Sequence, residues 1–206
     1  MNSQQTKTAI SYLIDFLAVL SIVIGLVYFF KIKDLFLAVS FTFVAPIAVL
    51  LPRYIYKRKL RQKYNLSLLK TLESFAAVMF VLASAGTFGL YNAGIEYDSL
   101  IHVIITVLIA ILVAFVWTFR KTSGFEDGYL SLCISVFSFT IILGAFWEVF
   151  QMSGDKVFGS KMFFDLFQPI NLDVACDLAA DTIGAFIGSV LVYFKWSDWH
   201  KGWLIK

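Results

Sequence analysis

Asp98 and His102 stand four residues apart, Glu148 and Gln151 three apart, and Asp173, Asp177 and Asp181 recur every four residues. On helices these spacings place each set on one face. Carboxylates joined by one imidazole suit a hard or borderline divalent cation such as Mg²⁺, Mn²⁺, Ca²⁺ or Zn²⁺, without singling one out. The same groups can move protons, with Glu148 as a base and His102 as ligand or shuttle. Asp98, His102, Glu148, Asp177 and Asp181 are therefore the candidate metal ligands, with Glu148 and His102 the candidate catalytic pair. A lone histidine is more often a hydrogen-bonded core residue. Asp98 one turn away and acids on two other segments bring the two readings level.

The elements that carry these residues are apolar. Of 206 residues, 60% are hydrophobic, 15% charged and 17% aromatic, with 22 Phe. A mean hydropathy of +0.82 excludes an ordinary soluble domain. Six apolar segments stand out, near Ala9–Phe30, Leu35–Leu51, Leu69–Tyr91, Ser99–Phe119, Tyr129–Phe150 and Val174–Phe194. Each approaches or exceeds the ~20 residues that cross a ~30 Å hydrocarbon core. None alternates as a β-strand would, so an all-α polytopic membrane bundle of about six helices is expected. The second segment carries Pro46 and ends at Pro52, which suggests a kinked or partly re-entrant span. The first exceeds a signal-peptide core and lacks a small-residue cleavage site after it, so it reads as a retained span. One membrane domain, 1–206, is expected, with two spans and a basic loop over 9–68 and a four-helix module over 69–195.

The basic residues set an orientation. The run from Arg53 to Lys63 is the densest charge in the chain. With that run cytoplasmic, 13 of the 17 Lys and Arg lie inside, and only Lys31, Lys33, Lys156 and Lys161 lie outside. Both termini are then cytoplasmic, in a multi-pass protein of the cell membrane. The run reads as a topology signal and a contact for anionic lipid rather than a nucleic-acid site. Tyr54 with Tyr56, and Trp196, Trp199 and Trp203, read as interfacial anchors.

This orientation gathers the acidic residues, His102 and Gln151 at the outer ends of spans four to six. In span six the stripe Asp173–Asp177–Asp181 continues into Gly184 and Gly188, a small-residue spacing that admits a neighbouring helix and turns the aspartates toward the bundle. An ionised carboxylate well inside the bilayer costs roughly 2.5–3.5 kcal/mol on insertion scales. Neighbouring carboxylates also repel, so shared protons, a base or a cation must neutralise them. His102 is the only base within those spans' outer halves. Asp15 and Glu73 fall outside the cluster and read as helix-pairing or capping residues, while Glu126 and Asp127 read as a solvated turn. Cys133 and Cys176 fall at opposite ends of their spans, beyond disulfide reach, and read as small buried hydrophobes. The 151–172 stretch reads as a loop, turn-like at first. Its aromatic part, Met162–Phe167, would lie over the outer leaflet as a lid or an anchor.

Three motifs carry a resemblance: Asp98-Ser99-Leu100-Ile101-His102, Glu148-Val149-Phe150-Gln151 and the stretch from Asp177 to Gly188. In order and placement they resemble the VanZ-like family of small bacterial membrane proteins and the related YjdF-like inner-membrane proteins. Asp181 stands where VanZ-like sequences usually carry Asn, and no arginine precedes Asp177. The acidic run is nearer the YjdF-like pattern. The resemblance spans about Leu69 to Phe194 and implies a role in the cell envelope.

Two functional expectations compete with a plainer one. The first is a metal-dependent enzyme acting on a lipid-linked or phosphorylated substrate at the outer leaflet. The second is an ion- or proton-coupled transport or binding protein. The third is a polar cluster that only fixes helix packing. No nucleophile motif is present, and the charges stop in the outer third, leaving hydroxyls such as Ser131, Ser135 and Ser138 below.

Overall fold

The protein is described from a computed structural model, which defines residues 9–90, 97–120, 128–158 and 170–205. It is all-α: α1 (Ala9–Ile32), α2 (Leu35–Leu60), α3 (Leu66–Thr87), α4 (Tyr97–Arg120), α5 (Gly128–Phe158) and α6 (Ile170–Trp203). Every one of the six is long and apolar enough to cross a membrane. Their outward faces carry large apolar side chains, Phe146 and Phe194 being 72% and 70% exposed. Such surfaces suit hydrocarbon rather than water.

The second span does not re-enter. α2 continues as a helix past Pro46 and Pro52 to Leu60. A π-turn over Ser40–Val44 resets the ladder, with the Ala45 amide bonding the Ser40 carbonyl, just before Pro46 arrives at the start of the next α segment. The missing proline N–H is tolerated there. The fifth span also runs further than its apolar stretch, through Gln151 to Phe158 instead of turning at Gln151. Ser153 Oγ donates to the Val149 carbonyl at 2.7 Å, so this polar residue is satisfied within the helix. The Met162–Phe167 stretch, Glu126 and Asp127 lie outside the described residues.

The chain divides into two compact units, residues 1–82 with 200–206, and residues 83–199. In the first unit, Gly25 lets α2 approach α1 closely: a Cβ there would stand 2.7 Å from the Thr42 nitrogen and 2.9 Å from the Ala38 carbonyl oxygen. Ile14, Leu17, Tyr28, Phe41, Val49 and Phe80 fill the core around that crossing. Beside it lies a part-buried ion cluster. Arg53 of α2 donates from Nε to Glu73 Oε1 at 2.8 Å, pairs with Asp15, and donates to the Ser11 carbonyl at 2.7 Å. Ser11 Oγ donates to the other Glu73 oxygen at 2.9 Å. Asp15 and Glu73 thus do pair helices, through an arginine that reads in sequence as one more member of the basic run.

The same unit holds a clasp. Asn65 donates from its backbone to the Trp203 carbonyl and from its side chain to the Gly202 carbonyl, both at 2.7 Å, while Ile205 N–H reaches the Lys63 carbonyl. Tyr56 is buried and donates from its hydroxyl to the Tyr64 carbonyl at 2.9 Å. Tyr56 and the buried Trp203 therefore serve packing, not anchoring at a lipid surface.

In the second unit α4 and α6 run parallel and α5 antiparallel to them. Trp196, read in sequence as an anchor, is 0% exposed. It lies four residues beyond Val192, itself fully buried, and so extends the inward stripe of α6.

Glu73 is 0% exposed, so removing its cation strands a buried charge. Arg53→Met should destabilise the protein by about 3–5 kcal/mol, whereas exposed Lys59→Met should fall within about 0.5 kcal/mol. Equilibrium unfolding in mixed detergent micelles measures both; equal effects would contradict the ion cluster.

Candidate functional site

Small residues set the site's frame. A Cβ on Gly184 would lie 2.6 Å from the Val103 carbonyl oxygen, and one on Gly188 would stand 3.2 Å from the Val107 carbonyl oxygen. Only glycine lets the α6 backbone come this close to α4. The contact fixes the register that brings the stripes of the two helices together. α5 approaches from the other side: a Cβ on Gly144 would fall on the Asp181 carboxylate, 2.9 Å from its Cγ.

Within this frame His102 is buried between carboxylates. Its Nδ1 lies 3.0 Å from Asp181 Oδ1, which also accepts a hydrogen bond from Thr106 Oγ1 at 2.6 Å. An ionised carboxylate only accepts, so beside an ionised Asp181 Nδ1 is the donor, and Nε2 faces the far side, where it carries a lone pair whenever the ring is neutral. There Asp177 Oδ2 lies 3.7 Å away and Asp98 Oδ1 3.8 Å. Those separations are too long for hydrogen bonds. Ligands of one ion, with bonds of about 2.0–2.2 Å, stand roughly 3–3.5 Å apart, so the two His102 separations lie only slightly beyond ligand spacing.

Glu148 completes the arrangement. It is 4% exposed, and neither carboxylate oxygen accepts a hydrogen bond from the described residues. A ligand atom of Glu148, one of His102 and one of Asp181 lie within 4.8 Å of one another, as do those of Asp98, His102 and Asp177. Asp181 Oδ2 and the Gln151 side-chain oxygen are likewise buried without a hydrogen-bond partner. A buried unpartnered carboxylate is costly, which marks this face as built for something that supplies positive charge or protons.

The structure thus brings together Asp98, His102, Glu148, Asp177 and Asp181, with Gly184 and Gly188 as packing contacts. Asp173 is half-buried in the first turn of α6 and joins neither three-residue ligand group. Thr106 and Gly144 were not singled out from sequence. Thr106 continues the Asp98–His102 spacing by four, and Gly144 precedes Glu148 by four, so helical phase carried both. Of the hydroxyls expected below the site, Ser131 and Ser138 are exposed and Ser135 is half-buried, whereas Thr140 and Ser189, not singled out from sequence, are buried. Cys133 is buried and Cys176 half-buried, and both are free thiols.

Fold and site together define a helical integral membrane protein with a buried carboxylate–imidazole centre. The chain belongs to the family described as Predicted membrane protein (DUF2238), whose model matches residues 11–198. No curated protein and no solved structure matches it.

Gly144→Ala should push the Asp181 carboxylate away and release the His102 ring. Imidazole ¹⁵N shifts of labelled protein should then show loss of the fixed Nδ1–H tautomer while helix content is kept; an unchanged spectrum would contradict the contact.

Proposed function

We propose that the protein is a divalent-cation-dependent membrane enzyme acting on a lipid-linked or phosphorylated envelope substrate. The observation that carries this reading is the His102 ring, tied at Nδ1 to Asp181 and facing two carboxylates with Nε2. A carboxylate that fixes a histidine tautomer from behind is the usual outer partner of a metal-ligating imidazole. Asp98 and Asp177 would balance a divalent ion, and Thr106 would hold Asp181. Glu148, buried and unpartnered, would take the proton of an attacking water and return it to the leaving oxygen. The ion would polarise the phosphoryl oxygens. Among the described residues no Lys or Arg pairs with the cluster, so the ion would be the main positive charge for phosphate.

The VanZ-like and YjdF-like resemblance supports an envelope role, and the bias of Lys and Arg supports placing the site at the extracytoplasmic side with both termini inside. Ser153 is exposed in the last turns of α5. A cysteine placed there in a Cys133→Ser, Cys176→Ser background should react with an impermeant maleimide on intact cells. Reaction only after permeabilisation would reverse the topology.

The purified chain should bind one Mn²⁺ by calorimetry. Asp98→Asn, His102→Gln and Asp177→Asn should abolish measurable binding, and Thr106→Val should weaken it about 10–100-fold. With a long-chain alkyl phosphate, metal-dependent phosphate release should vanish in Glu148→Gln while the ion stays bound. Absence of Mn²⁺, Mg²⁺, Ca²⁺ and Zn²⁺ binding would overturn the proposal. A second reading, ion or proton binding without turnover, draws on Thr140 and Ser189, whose hydroxyl oxygens are buried without partners among the described residues. Full binding with no phosphate release would favour it.

A further inference from the structure

Beside the carboxylate centre, α4 and α6 form the walls of an open apolar groove of about 620 Å³. That volume falls in the range of small-ligand pockets, ~300–1,000 Å³. Its walls include Tyr97, Leu100 and Val103 on α4 and Cys176, Ala179 and Ile183 on α6. These residues are chain neighbours of the site: Tyr97 precedes Asp98, Val103 follows His102, and Cys176 precedes Asp177. Groove and centre therefore share two helices at the same height, on different faces.

The groove is apolar along its length. Tyr97 and Ser99, its hydroxyl-bearing residues, sit in the first turn of α4, level with Asp98. From Cys176 to Ile183 the α6 wall runs about 10 Å. Ala179 and Cys176 are small, which gives the slot its depth. At the far end Gly184 packs closely on the Val103 carbonyl. Leu100 and Ile183 are exposed on its rim. The slot is thus apolar along its length, borders the acid-bearing turns, and is open sideways.

We propose that this groove seats the apolar chain of a membrane lipid whose phosphate headgroup reaches the cation at Asp98, His102 and Asp177. The proposal rests on the cation reading above and adds the substrate class: a single-chain or chain-exposing lipid phosphate, reached laterally from the bilayer. The charge logic is complementary, because a bound divalent ion turns an acidic end that would repel phosphate into one that attracts it. A soluble phosphate ester would leave the apolar slot unused.

The test uses the full chain in phosphatidylcholine nanodiscs with hexadecyl phosphate carrying a mid-chain diazirine. Mn²⁺ binding is titrated on the same sample. After irradiation, adducts should map to residues 97–103 and 176–183, several-fold more with Mn²⁺ than with EDTA. Unlabelled hexadecyl phosphate should compete and hexadecanol should not. Ala179→Trp should remove these adducts and leave Mn²⁺ affinity unchanged. N-ethylmaleimide on Cys176 of the folded wild type provides the same block without a substitution. Adducts spread over all apolar faces regardless of Mn²⁺ would mean annular lipid only and would overturn the groove while sparing the cation site. Adducts joining two copies of the chain at this face would also overturn it. Failure of Mn²⁺ to bind would instead overturn the underlying reading, and the titration would show that separately.

Discussion

A carboxylate inside a membrane must be neutralised, and this chain's interior is organised around two different answers to that constraint. In the first unit the answer is internal. Arg53 bridges Asp15 and Glu73, Ser11 supplies a further donor, and the buried Glu73 is satisfied on both oxygens. In the second unit, among the described residues, the basic side chain that pairs with the acids is His102, set against Asp98, Asp177, Asp181 and Glu148. One imidazole cannot balance four carboxylates. The contrast is what singles out the second cluster as the candidate site and the first as a brace.

Packing makes that imbalance durable. Gly184 and Gly188 hold α6 against α4, and Gly144 lets α5 close on Asp181. Larger residues at these positions would move the helices apart and relieve the crowding of charge. Thr106 and the Nδ1–H of His102 occupy one oxygen of Asp181, leaving the other oxygen and all of Glu148 without hydrogen-bond partners among the described residues. The polar groups are ordered by the frame before anything binds, which is the condition for a rigid ligand set.

Much of this was legible in sequence because helical phase and membrane length are local signals. Six apolar stretches give six helices, and spacings of four align Asp98 with His102 and Asp177 with Asp181. What was not legible depends on partners in other helices. Arg53 reads as part of a basic run until Asp15 and Glu73 are seen beside it. Trp196 reads as an interfacial anchor because its neighbours Lys195 and Trp199 look like a tail, although its phase with Val192 already turned it inward. The end of the fifth span was misplaced because Ser153 and Gly154 look like a turn. In a helix, Ser153 satisfies itself against the Val149 carbonyl.

The central claim is that His102 Nε2 ligates a cation held also by Asp98 and Asp177. Pulsed electron paramagnetic resonance of one equivalent of Mn²⁺ bound to the ¹⁵N-histidine-labelled protein tests it most directly. The account predicts hyperfine coupling to one directly bonded imidazole nitrogen, lost in His102→Gln and retained when His200 is replaced. A spectrum of hexa-aquo Mn²⁺ without nitrogen coupling would contradict it.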